Sequence, residues 1–133
     1  MANEGMSPRE IVETANRLLV SKRGLEAVQR FFSPRYVEHN HSTPGGNLEG
    51  FVAVLKEMGF SEEAPNDREL DLHVDRVICE GDLVLIHQHI DEPGMPTTVF
   101  MDLFRVEDGL IAEHWDVIQT VPEKPANTRV RMY

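Results

Sequence analysis

The run Phe100–Thr120, FMDLFRVEDGLIAEHWDVIQT, sets the tightest limit on what this chain can become. An Asp-Gly pair between two alternating apolar strings is a strong hairpin signal. A two-residue type I′ loop needs positive φ at both central positions, which Asp and Gly tolerate. With Asp108-Gly109 as the loop, Glu107 pairs with Leu110. A regular ladder then sets Val106 opposite Ile111, Phe104 opposite Glu113, Asp102 opposite Trp115 and Phe100 opposite Val117. Side chains alternate along a strand, so all of these share one face. The other face takes Met101, Leu103, Arg105, Ala112, His114 and Asp116. The first face is aromatic and aliphatic with two carboxyls set into it. Burying a charge is costly, so a carboxyl there finds a partner or holds its proton more tightly. A proton-exchanging group lining an apolar cavity is the reading this face supports.

The two halves of the chain differ in period. Ser7-Pro8-Arg9-Glu10 is a capping box with proline at the first helical position, followed by Ile11, Ala15, Leu18 and Leu19 at helical spacing. Gly24 is expected to end that helix. A short second helix is expected over Leu25–Phe32, closed by Ser33-Pro34, with a loop over Tyr36–Gly46. A third helix is expected from Leu48 to about Met58, and an exposed acidic linker over Ser61–Asp67. From Arg68 the pattern turns to strands, with Leu70, Leu72 and Val74 alternating with Asp71, His73 and Asp75. After the turn Glu80-Gly81-Asp82 comes Leu83–Ile90, then Pro93-Gly94-Met95-Pro96, then the hairpin. Three helices followed by about four antiparallel strands make an α+β fold. The chain is read as one domain over residues 1–133, with an irregular, partly basic tail at 122–133.

A formal charge of −10 argues against a nucleic-acid surface and against docking on anionic membranes. No apolar run reaches the ~18 residues of a membrane span. The first residues lack a secretory h-region, and the lone Cys79 fits a reducing compartment, so a cytoplasmic protein is expected. Cys79 is read as a small strand hydrophobe.

Asp102 is the leading candidate for a general acid or base, against the plainer reading of a carboxylate paired to a buried His or Arg. Phe104, Glu113 and Trp115 share its predicted face as substrate contacts. Tyr36-Val37-Glu38-His39-Asn40-His41 bunches hydrogen-bonding groups where helix gives way to loop; His39 can donate to a developing oxyanion, with Tyr36 and Asn40 as binding groups. For His87 and His89, alternation with Val84, Ile86 and Ile90 turns both away from the core, yet a cavity wall need not be apolar, so both stay candidates. His39/His41 and His87/His89 stand two apart and Asp102 could complete a ligand set. The pairs lie on separate elements and no HExxH or CxxC spacing occurs, so neither metal nor cofactor is expected. Exposed Met101 and Leu103 lead to the expectation of a homodimer through the outer sheet face.

The helix-then-strand order, the EGDLV turn, the YVEHN stretch and FRVEDGLIAEHWDV together resemble the SnoaL-like polyketide cyclase group of the NTF2-like superfamily, over about residues 8–121. The ending PEKPAN is similar to a subgroup described as SnoaL-like aldol-condensation enzymes. The resemblance implies a cone of three N-terminal helices packed on a curved, mostly antiparallel sheet around a central pocket. It further implies cofactor-free acid/base chemistry on a small hydrophobic carbonyl compound, by aldol condensation or cyclisation or a related proton transfer. Asp102 matches the acid/base position, His87 or His89 a pocket histidine, and Trp115 the pocket wall, with Tyr36, His39 and Asn40 near the cavity. The alternatives are a non-catalytic hydrophobic-ligand binder, or a hydrolase or dehydratase using the same pocket.

Overall fold

The computed structural model describes residues 2–62 and 70–133. In chain order it contains α1 (Pro8–Leu19), α2 (Gly24–Phe31), β1 (Phe32–Glu38), α3 (Leu48–Glu57), β2 (Asp71–Glu80), β3 (Leu83–Asp91), β4 (Thr98–Glu107) and β5 (Leu110–Thr120). The strands form one five-stranded sheet in the order β1-β5-β4-β3-β2. All neighbours are antiparallel except β1 and β5, which run parallel. This is an α+β fold with three helices on a mostly antiparallel sheet. No helix among the described residues is long and apolar enough to cross a membrane.

The local signals act as their chemistry requires. The Ser7 hydroxyl accepts from the Glu10 amide at 3.2 Å while the Glu10 carboxylate accepts from the Ser7 amide at 2.7 Å, closing both halves of the capping box. Asn47 caps α3 through the Gly50 amide at 2.9 Å. Asp108 and Gly109 sit at φ of 51° and 78°, the positive pair a type I′ loop demands, and Glu107 faces Leu110. The core lies between the helices and one sheet face, with Ile11, Val12 and Ala15 of α1 and Phe31 of α2 against Val84, Ile86, Phe104 and Ile111.

Four expectations are corrected. Gly24 does not end the first helix; α1 stops at Leu19, and Gly24 opens α2, where an added Cβ would meet the Phe60 carbonyl oxygen at 2.6 Å. The segment 32–38 is a strand rather than helix end and loop. It is the sheet's edge, where Pro34 leaves no central ladder bond unmade. Cys79 is exposed. The expected linker Ser61–Asp67 lies outside the described residues apart from Ser61 and Glu62, as does the strand start at Arg68; Ser61 is buried.

The fourth correction decides the site. The β4–β5 ladder is regular for two pairs beyond the turn and then shifts: Val106 faces Ile111, but Arg105 faces Glu113. Ala112 is the extra residue of a β-bulge, and Ile111 and Ala112 are both buried. Beyond it the pairs are Phe104–His114, Leu103–Trp115 and Asp102–Asp116. A one-residue slip exchanges the faces of a strand. His114 and Asp116 therefore stand on the inner face with Asp102, while Glu113 and Trp115 pass to the outer one.

Candidate functional site

A pocket of about 350 Å³ opens between the inner sheet face and helices α1 and α3. That is the low end of the roughly 300–1,000 Å³ typical of small-molecule sites. Its walls are apolar, from Leu19, Phe51, Leu55, Phe60, Phe100, Phe104 and Ile118. Its polar groups gather where β1, β3, β4 and β5 present inward side chains: Glu38, Gln88, Asp102, His114 and Asp116, with Asn16 from α1 and Asn40 just past β1. Among the described lining residues none is Lys or Arg.

These groups form one continuous network. The His114 imidazole stands between two carboxylates, its Nε2 2.9 Å from Asp102 Oδ1 and its Nδ1 2.9 Å from Glu38. Glu38 also accepts from the Tyr36 hydroxyl and from the Asn40 amide at 3.0 Å. The second Asp102 oxygen accepts from the Gln88 amide at 2.8 Å, and Gln88 exchanges reciprocal bonds with Asn16 at 2.8 and 3.0 Å. Asn40 donates to Asp116 at 3.0 Å. Asp102, His114, Glu38, Gln88 and Asn16 are all buried. Every fully buried side-chain polar atom among the described residues has a partner.

Burial opposes charge on His114, but the two carboxylates outweigh it and push its pKa up to about 10, so an imidazolium donates to both. Burial likewise disfavours charge on Glu38, yet His114 and Tyr36 hold its carboxyl below the ordinary range. The Tyr36 phenol is pushed far up by burial and by the Glu38 charge. Asp116 moves the other way from Glu38. Its partial burial, aided by the facing charges of Asp102 and Glu38, raises its pKa against the opposing effects of Asn40 and His114. The pocket thus holds an ion triad, Glu38–His114–Asp102, beside a carboxyl that takes up a proton more readily than usual. Two acidic groups with divergent environments suit complementary proton transfers.

Of the residues singled out from sequence, Asp102, Phe104, Tyr36 and Asn40 line the pocket. The others do not. His39 stacks on Trp115 at 4.8 Å and meets Glu113 at 2.6 Å on the outer face, where Glu113 also accepts from Arg105 at 3.0 Å. His87 also faces outward, accepting from Arg76 at 3.2 Å and donating to the Met132 carbonyl at 2.8 Å. His89 lies on that same side, buried against Asp75 and Tyr133. For the strand histidines, simple alternation pointed outward and the resemblance pointed inward; alternation holds, and Gln88 takes the inward place.

Sequence reasoning passed over Glu38, His114, Asp116, Gln88 and Asn16. Gln88 could have been found, since it shares parity with Val84, Ile86 and Ile90. Asn16 could also, as a polar residue on the stripe of Val12, Ala15 and Leu19. For His114 and Asp116 the signal was hidden by the bulge.

Residues 12–114 match the family described as SnoaL-like domain. No curated protein matches the chain. Among solved structures it is similar to IdmH of Streptomyces antibioticus, named as a candidate polyketide cyclase, with 19% identity, a TM-score of 0.63 and coverage of 85% of this chain and 92% of that one. It is similar to an NTF-2 like protein of Burkholderia xenovorans LB400, with 13% identity, a TM-score of 0.61 and coverage of 90% and 91%. It is also similar to an LEH-like epoxide hydrolase of M. tuberculosis, with 16% identity, a TM-score of 0.62 and coverage of 84% and 82%.

Proposed function

This chain belongs to the SnoaL-like domain family, and from that premise we propose that it is a cofactor-free acid/base enzyme acting on a small hydrophobic carbonyl compound. The observation that carries the proposal is Asp102, buried at the polar end of an apolar pocket and held by His114 and Gln88, with Asp116 directly opposite it. Asp102 takes the proton from the carbon beside the carbonyl, and Asp116, whose pKa is raised, gives a proton to the carbonyl oxygen. The product is an enol, the nucleophile of an aldol condensation or cyclisation. Lowering the enolate's energy is as necessary as the base itself, so both carboxyls are required. His114 and Glu38 act by positioning: the imidazolium fixes the Asp102 carboxylate and offsets its charge in the pocket.

The test needs no knowledge of the natural substrate. Bicyclic ketones such as 2-tetralone, in deuterated water, are followed by NMR for exchange of the hydrogens beside the carbonyl. The protein is expected to accelerate exchange, with Asp102→Asn reducing it by about 10²- to 10⁴-fold. Asp116→Asn, at a half-buried position, reduces it while ketone binding persists. Failure of the unaltered protein to accelerate exchange of any ketone it binds sinks the proposal.

A non-catalytic binder is the second reading, favoured by the network's full internal satisfaction, which commits both His114 nitrogens to the protein's own carboxylates. It expects ketone binding unchanged in Asp102→Asn and no exchange. We also propose a homodimer through the outer sheet face, where the cross-strand row Ile78–Leu85–Leu103–Trp115 lies beside Met101 and Val117.

A further inference from the structure

On the outer face, at the end of the sheet remote from the β4–β5 turn, β2 and β3 set Asp71 opposite Asp91 and His73 opposite His89. Like charges facing each other across a strand pair are destabilising. Here two carboxylates and two imidazoles form adjoining like pairs in a square. A single cation at its centre would relieve the carboxylate repulsion and would engage both imidazole lone pairs.

The square is oriented from outside. The Nδ1–H of His89 donates to Asp75 at 2.8 Å, which leaves Nε2 to face Asp91. The Thr97 hydroxyl donates to Asp91 Oδ1 at 2.6 Å, leaving Oδ2 toward the histidines. A carboxylate on the far nitrogen of an imidazole, and a hydrogen bond on the far oxygen of a carboxylate, are the supports that orient metal ligands. His89 is buried, so this orientation is fixed by packing and not by solvent.

The atoms that face one another in the square have the spacing of a coordination shell. Asp91 Oδ2 lies 3.7 Å from both His73 Nε2 and His89 Nε2, and Asp71 Oδ1 lies 3.0 Å from His73 Nε2. The His73, His89 and Asp91 ligand atoms all fall within 4.8 Å of one another. Ligands about 2.0–2.1 Å from a tetrahedral zinc ion stand roughly 3.3 Å apart. The two imidazoles are stacked, 4.7 Å between centroids and 11° from parallel, so an ion in both ring planes requires His73 to turn about its Cβ–Cγ bond. Its side chain is 45% exposed and has room to do so.

We propose that His73, His89 and Asp91 form a divalent-metal site suited to Zn²⁺, with Asp71 or water as fourth ligand and Asp75 as the orienting partner of His89. Imidazole with carboxylate suits zinc, whereas an all-oxygen set would favour calcium or magnesium. The site is separate from the pocket and independent of the enzymatic reading. Tyr133 stacks on His89 at 3.9 Å, so an ion there would also firm the platform on which the C-terminal residues rest.

The full chain, stripped with EDTA and titrated with ZnCl₂ near neutral pH by calorimetry, is expected to bind one ion saturably and to gain thermal stability as it does. His73→Ala and Asp91→Asn, both at half-exposed side chains, abolish that binding. Asp75→Asn weakens it by about 10- to 100-fold without removing a ligand. His39→Ala leaves it unchanged. The proposal is overturned if no saturable zinc binding occurs, if His73→Ala and Asp91→Asn bind as the parent does, or if His39→Ala is the variant that loses it.

Discussion

His114 shows how one side chain binds the inner face together. Its imidazolium serves two carboxylates that would otherwise lack a neutralising cation in a buried setting, and removing one partner of such a set costs more than the set contributes. Its folded pKa of about 10 stands above the ordinary value of 6.5. The stability it contributes is therefore fully present below about 6.5 and lost as pH rises through about 10. Glu38, with a lowered pKa, contributes stability above its ordinary value that is lost on acidification below it. Thermal melts should show the midpoint falling between neutral pH and pH ~10. In His114→Gln the midpoint should be lower at neutral pH and nearly flat over that window. A variant retaining the parent's alkaline slope would assign the titration to another group. At the same scale, Asp116 must be protonated to act as an acid, so ketone exchange should decline as pH rises through its raised pKa.

Among the elements, β5 matters most, because Ala112 decides which of its residues enter the pocket. Deleting Ala112 is expected to remove the bulge and leave a regular ladder with the pairs already present beyond it, Glu113 opposite Arg105 and His114 opposite Phe104, so that His114 and Asp116 stay inward. The pocket would keep its imidazolium between Asp102 and Glu38. The deletion variant is expected to fold with Trp115 emission unchanged, because the indole keeps its half-exposed place on the outer face, and to melt below the parent, because the buried Ala112 is lost. A blue-shifted emission would mean that Trp115 has turned inward and that this bulge does not set the faces of β5. β1 acts in concert, since Glu38 reaches His114 because β1 runs parallel to β5 in this register. The turn and cap signals were legible because each is complete within a few neighbouring residues. The edge strand was not legible, because its partner lies some seventy-five residues away.

Over the whole molecule, the sheet separates two kinds of surface. The inner face carries the pocket; the outer carries an apolar band with Ile78 62% and Val117 71% exposed. In the proposed dimer this band is covered by a second copy, with sheets packed about 10 Å apart. Sedimentation should give a dimer, and Val117→Glu should give a monomer with the α+β circular-dichroism spectrum intact. A monomeric parent would remove the dimer from the proposal. The histidine–aspartate square lies on the same outer face but at the end of β2 and β3 remote from Ile78 and Leu85, so the two proposals fail separately.

The sequence by itself determined the elements with local causes. These are the boxed start of α1, the Asp108-Gly109 loop and the alternation of β3 that turns His87 and His89 outward. It also placed Asp102 among rings and methyls, because that follows from β4 alone. The partners of Asp102 were decided only by the tertiary structure. Whether Ala112 joins the ladder or bulges out of it depends on the packing of Ile111 and Ala112 against elements remote in sequence. One residue's difference there exchanges a glutamate and a tryptophan for a histidine and an aspartate. Periodicity reports which residues share a face only while the ladder is regular, and the balance of packing that breaks it is a property of the assembled fold.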